Sequence, residues 1–212
     1  MENAAKLEVQ GFVIWKGLLD RMAQEALCDD LRAVVAAAPL VQHVTPSGRR
    51  MSVRMSAAGR LGWVSDRQGY RYAARHPSGV AWPPIPARVL DLWHACTGLE
   101  RVPDCCLVNH YGPDARMGLH QDRDEGDFGY PVLSISLGDS ATFRMGGTAR
   151  RDPTRSVRLD SGDVVLMGGA ARLAFHGIDR IHAATSTLLR GGGRINLTLR
   201  VVESGAQGAG TG

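Results

Sequence analysis

The feature that most limits how this chain can fold is the punctuation of its second half. From Cys105 onward, short runs rich in aliphatic and β-branched residues are cut at short intervals by turn signals. These include Gly112-Pro113, Gly146-Gly147, Ser161-Gly162-Asp163 and Gly191-Gly192-Gly193. The runs fall at 105–111, 117–122, 131–137, 141–145, 156–160, 163–167, 171–176 and 194–202. Eight short strands so spaced predict a double-sheet jelly roll, the architecture also called a double-stranded β-helix.

The first half has a different grain. Residues 11–16 predict a strand, and Asp20 then caps a helix to about Ala38, with Met22, Ala26, Leu27, Leu31, Val34 and Val35 at helical spacing. Pro39 stops that helix. A second helix is predicted from Ile85 to Cys96, opened by prolines at 83, 84 and 86. Residues 41–82 between them are strand-like pieces broken by glycines. The predicted class is α+β, mainly β. A single domain would cover 1–202, with a jelly-roll core over about 105–202, flanking N-terminal helices, and a Gly/Ala-rich tail (203–212) expected to be disordered.

Composition supports a packed domain. The 212 residues are 44% hydrophobic and 22% charged, enough apolar surface to bury a core. No run of 18 apolar residues predicts a membrane helix, and Glu2, Lys6 and Glu8 make the N-terminus unlike a secretory signal. Cys28, Cys96, Cys105 and Cys106 lack CxxC spacing, and the adjacent pair would point to opposite faces of a strand. Reduced thiols in a cytoplasmic monomer are the expectation.

Within that β-rich half lies His120-x-Asp122, whose i, i+2 spacing in a strand puts an imidazole and a carboxylate on one face. His176 follows at the end of the predicted 171–176 strand. Two imidazoles and one carboxylate on a triangular face leave coordination positions open, which suits non-haem Fe(II) that must also bind a co-substrate and O2. Structural zinc would fill all four of its positions.

The last strand reads R-I-N-L-T-L-R-V at 194–201. Ile195, Leu197, Leu199 and Val201 share one face; Arg194, Asn196, Thr198 and Arg200 share the other. Six residues of strand span roughly 20 Å. Two arginines leaning together from its ends leave room for a small dicarboxylate between two guanidinium forks. Asn109 and Tyr111 add a further i, i+2 polar pair in an apolar strand.

Charge is distributed unevenly. Between Arg49 and Arg75 stand seven arginines against the single acid Asp66, a window of +6 in a chain of net +4. The remainder therefore carries −2. Trp63, Tyr70 and Tyr72 are interleaved with those arginines, as single-stranded nucleic acid binding requires. Beside an iron site, the window reads as a lid over about 41–82. Asp124 is read as a base contact, and Glu125 and Asp127 as a solvated loop.

The chain resembles the AlkB family of alkylated-nucleic-acid repair dioxygenases. The resemblance rests on N-x-Y at 109–111, L-H-Q-D-R-D-E at 119–125, S-I-S-L-G at 134–138, F-R-M-G-G at 143–147, G-D-V-V at 162–165, F-H-G-I at 175–178 and R-I-N-L-T-L-R at 194–200. L-G-W at 61–63, R-Q-G-Y at 67–70 and W-P-P-I-P at 82–86 fit as well. It implies that His120, Asp122 and His176 bind Fe(II), and that Asn109, Tyr111, Arg194, Asn196 and Arg200 hold 2-oxoglutarate. It further implies that Trp63 stacks on a flipped base opposite His120, that Asp124 meets the exocyclic amine, and that Tyr70, Arg150 and Met55 line the pocket. Arg123 stands where the family usually has lysine, the 180–193 loop departs from the pattern, and the first 40 residues match loosely.

The implied reaction is oxidative demethylation of 1-methyladenine and 3-methylcytosine in DNA, releasing formaldehyde, succinate and CO2. A demethylase of RNA or tRNA is the alternative within the same mechanism. A small-molecule oxygenase would not need the +6 window, and a silent nucleic-acid-binding module would not need the triad.

Overall fold

The computed structural model describes residues 4–203, so the predicted 203–212 tail lies almost wholly outside the described residues. The elements in chain order are β1 (Ala5–Val9), β2 (Phe12–Lys16), α1 (Arg21–Ala37), β3 (Arg54–Gly59), β4 (Gly62–Asp66), β5 (Gly69–Ala73) and α2 (Ala87–Thr97). They continue with β6 (Cys105–Tyr111), β7 (Met117–His120), β8 (Val132–Gly138), β9 (Ser140–Met145), β10 (Arg155–Leu159), β11 (Val164–Met167), β12 (His176–His182) and β13 (Arg194–Arg200).

The strands form a seven-stranded sheet in the order β1-β2-β11-β8-β13-β6-β3 and a four-stranded sheet in the order β10-β9-β12-β7. All their pairings are antiparallel. The inner faces share one core, in which Phe12, Val165 and Met167 of the large sheet meet Phe143, Met145 and Ile178 of the small one. This is the predicted jelly roll. The outer face of the large sheet is buried too: Val164, Leu133, Leu197 and Leu199 pack with Leu27 and Leu31 of α1 and Trp93 of α2. Strict alternation in β11, where Val164 faces the helices and Val165 faces the small sheet, is the period-2 rule serving two cores.

Both predicted helices form. Asp20 accepts a hydrogen bond from the Ala23 amide at 2.8 Å, satisfying one of the free donors of the first turn. Pro86 precedes α2 and Gly98 ends it in the left-handed conformation. Two strand predictions need correction. The apolar stretch before His176 is not a strand, because residues 169–171 form a 3-10 turn and His176 opens β12 instead of closing a strand. Gly177, which looks like a terminator, is required inside β12: a Cβ there would lie 2.5 Å from the Met117 carbonyl oxygen. Part of the 180–193 segment is therefore sheet.

Residues 41–82 divide in two. β3 is the edge strand of the large sheet, paired with β6, whereas β4 and β5 form a separate hairpin. Val64 of that hairpin packs with Ala57, Trp82, Cys105 and Leu107, anchoring it beside the mouth of the jelly roll. No helix among the described residues is long and apolar enough to cross a membrane.

Candidate metal centre and substrate cavity

The β7–β12 ladder pairs His120 directly with His176, and their rings lie 4.5 Å apart between centroids. Each Nδ1 sits against a backbone carbonyl, that of Gly118 at 2.9 Å for His120 and that of Ala174 at 3.0 Å for His176. A carbonyl only accepts, so each Nδ1 is placed to donate a hydrogen bond to it, and each Nε2 is turned toward the cluster. β7 ends at His120, so Asp122 is presented from the following loop and not from the same strand face. Arg172 holds that loop by donating to the Asp122 carbonyl at 2.7 Å.

The resulting cluster is tight. His120 Nε2 lies 3.6 Å from Asp122 Oδ1, His176 Nε2 lies 3.8 Å from Asp122 Oδ2, and the three donor atoms all fall within 4.8 Å of one another. Burial alone would raise the Asp122 carboxyl pKa, but Arg200, His176 and His120 hold it well below the usual carboxylate range. Burial, reinforced by His120, lowers His176 to about 4, so it is neutral near pH 7. Two imidazoles and a carboxylate make a ready donor set for a divalent metal.

The cluster opens into a cavity of about 430 Å3. Asn109, Tyr111, Asn196 and Arg200 line its inner end. Arg200 donates from NH2 to Asp122 Oδ1 at 2.8 Å. Its Nε is 3.4 Å from Glu125 Oε1, an ion-pair contact without hydrogen-bond alignment. Asn196 is anchored through its amide nitrogen to Ser134 and Ile135, and Asn109 donates to Thr198 at 3.3 Å. Arg194 lies beyond the cavity lining, at 0% exposure. It donates to Ser136 at 2.6 Å and to the Asp139 carbonyl at 3.3 Å. Among the described residues it makes no salt bridge, and burial depresses its pKa to about 10.

Several buried atoms here have no partner: Arg194 Nε, Asn109 Oδ1 and Asp122 Oδ2. A cation suits the Asp122 oxygen, and a carboxylate suits the Arg200 guanidinium, which lines the cavity and whose Nε also lacks an aligned acceptor, so the donors present fit a metal plus a dicarboxylate. The polar face of β13 is an interior wall.

At the outer end, Met55, Trp63, Tyr70 and Asp124 all line the cavity. Trp63 is gripped on three sides. Tyr70 stacks on it at 5.4 Å, His43 meets it edge-on at 5.9 Å, and its Nε1–H donates to Asp124 at 3.0 Å. Tyr70 is 50% exposed. Arg150 is not among the lining residues; it is exposed, lies over Phe175 and donates to the Leu119 carbonyl.

Sequence reasoning missed three side chains, Glu125, His43 and Arg172. Glu125 is not a solvated residue: it is 6% exposed and bonded to Tyr72 and Arg172. His43 supports Trp63. Arg172 was the available clue, since an arginine within an apolar run demands acceptors. Of the seven window arginines, Arg60 pairs with Asp104 and Glu203, and Arg71 with Asp66. Among the described residues Arg49 and Arg50 make no salt bridge, and they line a second groove of about 670 Å3 with Arg116, sharing Met51, Met117 and Ile178 with the main cavity.

Residues 11–200 match the 2OG-Fe(II) oxygenase superfamily model. The chain is 58% identical over 193 residues to an alpha-ketoglutarate-dependent dioxygenase AlkB homolog of Caulobacter vibrioides, covering 91% of this chain and 88% of that one. A DNA N(6)-methyladenine demethylase of Arabidopsis thaliana is 44% identical over 110 residues, covering 47% of this chain and 24% of that protein. The solved structure of OsALKBH1 superposes with a TM-score of 0.78 at 30% identity, covering 92% of this chain and 99% of that one. The chain belongs to the AlkB family of 2OG-Fe(II) oxygenases and is an Fe(II)- and 2-oxoglutarate-dependent dioxygenase.

Proposed function

We propose that this enzyme removes N-linked methyl groups from 1-methyladenine and 3-methylcytosine in DNA, acting on single strands as a cytoplasmic monomer. The observation that carries this reading is Trp63, an indole braced on three sides at the rim of the cavity that ends in the His120–Asp122–His176 cluster. A rigid aromatic face at that depth accepts a base that has left its stack. The Asp124 carboxylate on the indole N–H adds negative charge suited to a cationic methylated base.

In this reading His120, Asp122 and His176 hold Fe(II), and Asn109, Tyr111, Arg194, Asn196 and Arg200 hold 2-oxoglutarate. When bound, iron with 2-oxoglutarate and O2 supplies hydroxylation of the methyl carbon, 2-oxoglutarate leaving as succinate and CO2. The chain's own groups do the rest. The Gly118 and Ala174 carbonyls fix the imidazoles with Nε2 inward, and Arg200 keeps Asp122 ionised and oriented. Met55, Trp63, Tyr70 and Asp124 position the base, and the apolar wall of Phe143, Met167 and Ile178 keeps bulk water from the cluster. The hydroxymethyl product loses formaldehyde and leaves the base restored.

The test is formaldehyde release from methylated single-stranded DNA and RNA oligomers with fresh Fe(II), with and without 2-oxoglutarate. Turnover on DNA that depends on 2-oxoglutarate is expected. Faster turnover on RNA would replace the polymer named here, and absence of turnover on both would reject the repair reading.

A further inference from the structure

The hairpin that carries Trp63 and Tyr70 to the cavity also sends one side chain inward. Trp63 pairs across the hairpin with Tyr72. The Tyr72 hydroxyl donates to Glu125 Oε1 at 2.6 Å and accepts from Arg200 NH1 at 3.2 Å. Glu125 accepts from Arg172 NH2 at 3.1 Å on its other oxygen. Arg172 also secures the Asp122 carbonyl and the Tyr130 carbonyl, at 2.7 Å each. Glu125 is thus the junction of three inputs: the hairpin through Tyr72, the metal loop through Arg172, and the β13 arginine at the inner end of the cavity.

Charge bookkeeping makes this junction sensitive to occupancy. Arg172 and Arg200 balance Glu125 and Asp122, with all four side chains buried. Arg200 already spends NH1 on Tyr72 and NH2 on Asp122, and its Nε lacks an aligned acceptor. A carboxylate arriving at this guanidinium must share it with Tyr72. A packing role alone would be met by phenylalanine; the buried hydroxyl is bonded twice, once to each side of the junction.

We propose that Tyr72 is a positioning residue that couples the seating of the β4–β5 hairpin to occupancy of Arg200 by 2-oxoglutarate, so that co-substrate and base binding are linked. The proposal rests on the reading above that Arg200 holds 2-oxoglutarate. Filling the inner end of the cavity sets the Arg200 guanidinium, which sets Tyr72, which sets the strand that presents Trp63. Linkage is reciprocal, so a base seated on Trp63 must tighten 2-oxoglutarate by the same factor.

The experiment uses full-length protein loaded with Mn(II), and calorimetric titration of 2-oxoglutarate with and without a single-stranded oligomer containing 1-methyladenine. Hydrogen exchange of amides 62–73 is followed in parallel. In the unmodified protein, the oligomer lowers the Kd for 2-oxoglutarate by roughly 5- to 20-fold, within the usual range for coupled sites, and 2-oxoglutarate slows exchange in the hairpin. Tyr72→Phe keeps the ring and removes one oxygen atom; unchanged circular dichroism confirms its fold. It is expected to lose both the oligomer effect on Kd and the protection of the hairpin. Retention of both in Tyr72→Phe overturns the coupling. Arg200→Gln separates the two ideas: a weaker Kd in Arg200→Gln beside an unaltered Tyr72→Phe rejects the coupling alone. Unaltered 2-oxoglutarate affinity in both variants rejects the coupling together with the assignment of Arg200.

Discussion

His176 stands opposite His120 in the β7–β12 ladder, so the spacing of the two imidazoles is set by strand register and not by loop conformation. The register depends on Gly177, where a Cβ would lie 2.5 Å from the Met117 carbonyl oxygen and 2.9 Å from that of Gly118. Gly177→Ala must push β12 away from β7. Mn(II) affinity, measured by titration calorimetry, is expected to fall by about tenfold or more, as when a supporting group around a metal is lost. An unaltered affinity would show that the ladder can part without moving the histidines.

Asp122 stands in the His120–Asp122–His176 cluster that could hold a metal and is also the ion-pair partner of Arg200. Asp122→Ala should abolish formaldehyde release. Binding of a methylated oligomer should change by no more than roughly twofold, because phosphate contacts dominate nucleic-acid affinity. Fluorescence anisotropy gives the second number; parallel loss of binding would mean that the centre also shapes the polymer surface.

The depressed His176 pKa has a definite sign. Between its folded value of about 4 and the ordinary 6.5, the unfolded chain binds the proton and the folded chain does not. Stability of the metal-free protein therefore falls as pH drops through that window, by about 2 kcal/mol from this residue between pH 6.5 and 5. Urea unfolding at the two pH values should show the loss, and His176→Gln should show a smaller one. Equal pH dependence in both proteins would assign the loss to other groups.

Arg49 and Arg50 line the groove beside the cavity, while Arg60 and Arg71 are spent on carboxylates. Replacing Arg49 and Arg50 with serine should weaken oligomer binding and reduce the slope of log Kd against log salt by about 1 to 2. Arg60→Ser and Arg71→Ser should change the slope less. Identical slopes in all variants would make this a solvated face.

The jelly roll was legible because turn residues and period-2 runs are local signals, and so was the β13 face, where Arg194 and Arg200 sit at fixed strand spacing. The three members of the His120–Asp122–His176 cluster were legible as residue types, although Asp122 comes from a loop and His176 begins its strand. The Tyr72–Glu125–Arg172–Arg200 network was not legible. Its members come from four distant segments, and nothing local to Glu125 distinguishes an acid buried among arginines from one in water. The role of Gly177 was hidden for a related reason: a glycine that ends a strand and one that lets two backbones touch look alike until the partner strand is known.

Arg194 folds into the interior with hydroxyl and carbonyl acceptors but no carboxylate. A ligand that binds only the native form adds about 2.7 kcal/mol when present at 100 times its Kd, so a co-substrate seated at the inner end of the cavity would make the occupied protein harder to unfold than the empty one. Resistance to proteolysis is therefore expected to rise with the co-substrate supplied, which limited digestion with and without 2-oxoglutarate would read. A cell poor in 2-oxoglutarate would hold not only a slower enzyme but fewer molecules of it.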